Sequence, residues 1–112
     1  KGLVKAVGVS NYGVDAMRAC HKVLADRGIP LATNQIQYSL LYRWPEMNGL
    51  LDACKELNVQ VLSYSPLALG FLTGKYYDVD HLPTGPRKAL GKQLFSSPDF
   101  QNLLSAMQQV AS

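Results

Sequence analysis

The chain has 112 residues, of which 47% are hydrophobic and 17% charged, so it has the composition of a folded domain and can bury one small core. No apolar run approaches the roughly 18 residues of a membrane span, and the first residues lack a charged-then-apolar secretory pattern; the expectation is an intracellular soluble protein with no membrane partner. The net charge of +3 is spread along the chain, gathering modestly at Arg87, Lys88 and Lys92 without interleaved aromatics, which disfavours nucleic acid and favours anionic small ligands.

Leu3 to Ser10 (LVKAVGVS) is β-branched and apolar and reads as a strand. After Asn11, Tyr12 and Gly13 comes a helix striped by Val14, Met17, Cys20, His21 and Leu24 and ended by Gly28 and Pro30. Gly13 stands where a Ser or Thr would cap more firmly, so this helix starts weakly. Leu31 to Gln37 (LATNQIQ) is the second strand. Past Tyr38 to Trp44, Pro45 enters the first turn of a second helix striped by Met47, Leu50, Leu51, Cys54 and Leu57 and closed by a left-handed Asn58. Val59 to Tyr64 is the third strand, broken by Ser65 and Pro66. A long loop follows, and Ser97 and Pro98 open a third helix striped by Phe100, Leu103, Leu104, Met107 and Val110.

The strands recur about every 28 residues, the spacing of βα units with parallel strands. Such strands are covered on both faces, which leaves an open doubly wound sheet or a closed (β/α)8 barrel. Ser10-Asn11, Asn34-Gln35 and Ser63-Tyr64-Ser65 bring polar side chains to one rim, as barrel enzymes do, and no G-x-G-x-x-G follows the first strand. The expected fold class is therefore α/β: a partial (β/α)8 TIM barrel of about three βα units, residues 1–112 forming part of one domain, since a whole barrel takes about 250 residues.

Gly70-Phe-Leu-Thr-Gly74-Lys75 is not a P-loop: its glycines stand one residue too close, and Tyr76 replaces the magnesium-binding hydroxyl. Cys20 and Cys54 have neither CxxC spacing nor a His partner, so neither a disulfide nor a metal site is expected. His21 and His81 read as surface or packing residues. Arg43 and Trp44 either brace their loop or form a substrate rim. Taken alone, Ser10-Asn11 reads first as a turn and helix entry, Tyr64 as a half-buried strand-end ring, and Arg87-Lys88 as a solvated loop cluster, rather than as parts of a ligand site.

VGVSNY (Val7 to Tyr12), NQIQYSLLYR (Asn34 to Arg43) and YSPLALGFLTGKY (Tyr64 to Tyr76), in this order and spacing, resemble the fifth, sixth and seventh strands of an aldo-keto reductase. The segment LPTGPR (Leu82 to Arg87) is similar to plant, often plastid, members and to the branch containing potassium-channel β subunits. The resemblance implies a (β/α)8 barrel that binds NADP(H) and reduces small aldehydes or ketones to alcohols, in cytoplasm or plastid stroma. It further implies that Ser10, Asn11 and Gln35 bind the nicotinamide carboxamide and that Tyr64 stacks on the nicotinamide ring. Ser65, Pro66, Leu67, Ala68, Leu69 and Gly70 would line the pyrophosphate, with Lys75 and Arg87 supplying positive charge.

The family's catalytic Tyr, Asp, Lys and His fall on strands two to four, so the resemblance assigns no catalytic residue here and promotes none of Tyr12, Tyr38, Tyr42, Asp52 or Lys75. Two readings follow: a reductase, or a regulatory subunit that keeps the cofactor pocket as a redox sensor.

Overall fold

Three apolar stretches separated by helical ones pair as parallel strands in the computed structural model, which describes residues 2–112. The chain divides into a unit ending at Pro66 and a second running from Leu67 to Ser112.

In the first unit β1 (Val7–Ser10), β2 (Leu31–Gln37) and β3 (Gln60–Tyr64) form one sheet in the order β1-β2-β3, both pairings parallel. The connections carry α1 (Val14–Ala25), then α2 (Trp44–Met47) and α3 (Leu50–Glu56). Side chains alternate across a sheet, and past an irregularity between Val7 and Gly8 the alternation divides the two faces. Val9, Asn34, Ile36 and Val61 face the helices, where Met17, Leu31, Ile36, Leu50, Ala53, Cys54 and Val59 form the buried core. The opposite face carries Ser10, Gln35, Leu62, Gln37 and Tyr64.

The first strand is shorter than the Leu3 to Ser10 stretch suggests. Val7 stands opposite Leu31, the first residue of β2, so earlier residues find no ladder partner there, and Leu3 and Val4 are 85% and 73% exposed. The third strand likewise starts at Gln60, because the Val59 N–H is taken by the Cys54 carbonyl at 2.8 Å as the chain leaves the helix through a left-handed Asn58 (φ 54°).

The single second helix expected from its stripe is two. Gly49 takes the left-handed conformation (φ 78°) and the Asn48 side chain accepts the Leu50 N–H at 3.1 Å, restarting the helix. Met47 lies before the break and is 76% exposed, so the apolar stripe begins at Leu50. The loop ahead of α2 is held by Glu46, whose carboxylate accepts Arg43 Nε and Nη2 at 2.9 and 2.6 Å and the Tyr38 hydroxyl at 2.7 Å. Arg43 is thus a brace. The paired guanidinium first, and then the phenol, hold the Glu46 carboxyl down at about 2.

The second unit contains a single 3-10 turn at Ala68–Gly70, then α4 (Arg87–Phe95) and α5 (Pro98–Ala111). Helix α4 replaces part of the expected loop: Arg87 and Lys88 are its first residues rather than a loop charge cluster. Ser97 precedes α5 in extended conformation but makes no side-chain cap bond, and Val110 is 90% exposed, so the apolar stripe of α5 stops short of its end. The core here is aromatic, with Phe71 beside Tyr76 (centroids 5.4 Å) and Phe95 edge-on to Phe100 (5.0 Å). No helix among the described residues is long and apolar enough to cross a membrane.

Gly91 sits where α4 meets this core, and a Cβ there would lie 2.6 Å from Leu82 Cδ2 and 2.9 Å from Phe71 Cε1. Alanine would add up to about 1 kcal/mol of helix propensity, whereas overpacking costs about 1–3 kcal/mol. The clash wins because Phe71 is fully buried and has no room to turn away. Gly91→Ala is therefore expected to lower the denaturation midpoint of the full-length protein, and an unchanged or raised midpoint would contradict this packing.

The Glu46 strut titrates with a defined sign. A carboxyl whose folded value is depressed adds stability above its ordinary range near 4.3 and loses it as pH falls toward its folded value of about 2. A carbon-13 titration of labelled glutamate in the full-length protein should find Glu46 still ionised at pH values where ordinary carboxylates are protonated. Its midpoint should rise in Arg43→Ala, and an ordinary wild-type midpoint would refute the strut.

Candidate functional site

The rim of the first unit is built by register. Ser10 lies opposite Gln35 and Gln35 opposite Leu62, while Gln37 lies opposite Tyr64. All five belong to the face turned away from the helices, where Ser10, Gln35 and Gln37 are exposed and Tyr64 is half-buried. Three of the residues expected to meet the nicotinamide, Ser10, Gln35 and Tyr64, therefore share one face near the carboxyl ends of their strands.

The fourth, Asn11, takes a left-handed turn (φ 58°), a conformation Asn tolerates better than most residues. The Gln35 backbone carbonyl receives both the Asn11 N–H at 2.8 Å and the Ser10 hydroxyl at 3.1 Å, and Asn11 Nδ2 lies 3.4 Å from Ser10 Oγ. Gln35 thus holds the turn through its main chain, while its side chain is exposed. Asn11 also lines a cleft of about 200 Å³ with Tyr12, Gln37, Tyr42, Trp44 and Tyr64. Trp44, 56% exposed, belongs to that cleft while its neighbour Arg43 is spent on Glu46.

Asn34 does not join this rim. It points to the helix side, is 0% exposed, donates Nδ2 to the Tyr12 carbonyl at 2.9 Å and accepts the Tyr12 N–H on Oδ1 at 3.4 Å. Strand alternation carries the signal that separates it from Gln35, since consecutive residues take opposite faces.

The segment after β3 is strained. Of the five non-glycine residues with positive φ among the described residues, three are Ser65 (51°), Ala68 (49°) and Leu69 (57°), and Gly70 follows at 95°. Each such non-glycine residue costs on the order of 1–3 kcal/mol, and strain of this kind gathers at ligand clamps. Pro66 between them is exposed.

Within the second unit the turn uses several of its own amides: Gly70 and Leu72 donate to the Leu67 carbonyl at 3.0 and 3.2 Å, and Phe71 to the Ala68 carbonyl at 3.1 Å. The Gly70 N–H is thus engaged within the turn. Arg87 Nη1 donates to the Leu69 carbonyl at 3.1 Å, which brings the guanidinium against the turn from the first residue of α4. Lys75 holds its ammonium 5.7 Å from the Tyr76 ring centroid.

His81 Nδ1 lies 2.7 Å from Asp78 Oδ1, its ring stacked on Tyr77, and this bond lowers the Asp78 carboxyl below its usual range. Cys20 and Cys54 are free; Cys20 is only partly buried, whereas burial pushes the Cys54 thiol up, away from nucleophilic reactivity. Among the described residues no cluster of three or more His, Cys, Asp or Glu side chains could hold a metal ion.

A search of known proteins agrees with the strand motifs. The aldo/keto reductase family model matches residues 1–112. A chloroplastic pyridoxal reductase of Arabidopsis thaliana is 47% identical over 111 residues, covering 99% of this chain and 30% of that protein. An L-glyceraldehyde 3-phosphate reductase of Escherichia coli (strain K12) is 40% identical over 70 residues, 62% of this chain and 20% of the relative. The aldo-keto reductase yakc [NADP(+)] of Schizosaccharomyces pombe is 33% identical over 87 residues, 75% and 24% respectively. The chain spans less than a third of the length of each of these relatives. With its parallel βα units and its polar strand ends, this chain belongs to the aldo/keto reductase family.

Proposed function

We propose that the protein to which this chain belongs is an NADP(H)-dependent reductase of small aldehydes or ketones, and that this chain supplies cofactor-binding residues. The observation that carries the reading is the common face of Ser10, Gln35 and Tyr64, with the Asn11 turn fastened to the Gln35 carbonyl. A nicotinamide carboxamide needs a donor and an acceptor in fixed places. The Gln35 carboxamide offers both; Ser10 Oγ, whose hydrogen is directed to the Gln35 carbonyl, is left to accept. Tyr64 offers a half-buried ring on the same face, suited to offset stacking against a flat heterocycle. When bound, such a cofactor supplies hydride to a carbonyl carbon.

In the second unit the candidate phosphate ligands are the Ala68-Leu69 backbone and the cations Lys75 and Arg87. Arg87 is the better placed of the two cations, since its bond to the Leu69 carbonyl keeps it beside the turn. Preference for NADP over NAD is part of the proposal, supported by the cofactor printed in the name of the yakc relative. We assign proton donation to residues outside this chain.

Pyridoxal is the first substrate to assay, given the name of the 47% identical plant relative. The full-length protein should oxidise NADPH with pyridoxal or another aldehyde of a broad carbonyl panel, and no oxidation with any of them would sink the reductase reading. Tyr64→Ala should weaken NADPH binding by about 1 kcal/mol or more, roughly fivefold or greater, through lost stacking and burial. Unchanged affinity in a fluorescence titration would remove Tyr64 from the site.

A further inference from the structure

Among the described residues, Asn34 is the one polar side chain that is fully buried. It sits on the helix face of β2, where its companions Val9, Ile36 and Val61 are aliphatic, and its Nδ2 lies 3.8 Å from the Met17 sulfur. A branched aliphatic side chain would serve packing at that position better, because a buried amide is costly unless its hydrogen bonds are met. Beyond the weak Met17 sulfur acceptor, its bonds go to one residue: both to the main chain of Tyr12, to the carbonyl at 2.9 Å and from the N–H at 3.4 Å.

Tyr12 follows the left-handed Asn11 and precedes Gly13, which begins α1 without a side-chain cap bond. With a weak helix entry on one side and an unfavourable φ on the other, this turn has little intrinsic preference for its shape. Two consecutive residues of β2 supply what it lacks. The Gln35 carbonyl takes the Ser10 hydroxyl and the Asn11 N–H, and the Asn34 carboxamide engages the Tyr12 N–H and carbonyl from the buried side.

We propose that Asn34 is a positioning residue for nicotinamide binding: it touches no ligand, but fixes through Tyr12 where the Ser10 hydroxyl and the Asn11 carboxamide stand relative to Gln35. The proposal rests on the cofactor reading above. A carboxamide held by several side chains loses affinity when one member of the set drifts, so the effect of Asn34 is felt at a distance through the turn.

The test uses the full-length protein with Asn34→Leu, an apolar side chain of similar size, and Asn34→Asp, which keeps an acceptor for the Tyr12 N–H but as a carboxylate cannot donate to the Tyr12 carbonyl. NADPH affinity, steady-state kinetics and hydrogen exchange across Ser10 to Gly13 are measured well below each variant's melting temperature. In both variants the NADPH dissociation constant should rise about tenfold, the size of effect expected for one lost buried hydrogen-bond pair. The loss should fall mainly on KM for NADPH rather than kcat, and the Asn11 and Tyr12 amides should exchange faster while the rest of the sheet keeps its protection.

Affinity within twofold of wild type in a folded variant would overturn the proposal. So would failure of both variants to fold, which would assign Asn34 to stability alone. If the wild type itself binds no NADPH, the cofactor reading fails and the proposal with it, whereas faster exchange confined to the turn in that case would still show that Asn34 holds Tyr12.

Discussion

Strand β2 is hydrogen-bonded along both edges, and that double pairing is what the first unit depends on. A central strand in a parallel sheet cannot slide by one residue without sending every side chain to the wrong face. Asn34 and Ile36 commit one face to the helix side, so Gln35 and Gln37 are committed to the other, and with them their cross-strand partners Ser10, Leu62 and Tyr64. The polar rim is thus a by-product of core packing: the residues that fold the sheet against its helices also decide which side chains stand on its other face.

The same strand explains why the loop after β1 keeps a shape its own residues do not favour. Backbone groups at the end of a strand continue to seek partners, and here the Gln35 carbonyl supplies two bonds to the next two residues of the neighbouring chain segment. The Glu46 strut performs a comparable task for the loop after β2, joining Tyr38, at the strand end, to Arg43, just before α2. The loops after β1 and β2 are held here by main-chain and side-chain groups of their own sheet and by a short-range ion pair, while the exposed Arg18–Glu56 and Lys22–Asp26 pairs are screened by solvent and decide little.

Much of this was legible from residue order, and the misses have separate causes. Strand β2 matches the LATNQIQ stretch end to end, with Pro30 before it and the hydrogen-bonded Ser39–Tyr42 turn just after it. The break at Asn48-Gly49 was hidden beneath a continuous apolar stripe, since periodicity counts side chains and is blind to a backbone that turns left-handed for one residue. Helix α4 was missed for the opposite reason: with Gly91 at its centre and three cations among nine residues, RKALGKQLF shows little amphipathic pattern, and its burial is by close approach at Gly91. Asn34 and Gln35 looked alike as adjacent polar residues; their separation into buried clamp and exposed rim needed the sheet's pairing as well as its alternation.

The strained run at Ala68 and Leu69 bears on flexibility as well as on binding. Glycine at either place would relieve the left-handed backbone but would also multiply the shapes open to the loop when nothing is bound. Alanine and leucine accept a worse conformation in the folded chain in exchange for fewer competing ones. A segment so built would change little on meeting a ligand, and most of the ordering entropy would already have been met during folding, before any encounter.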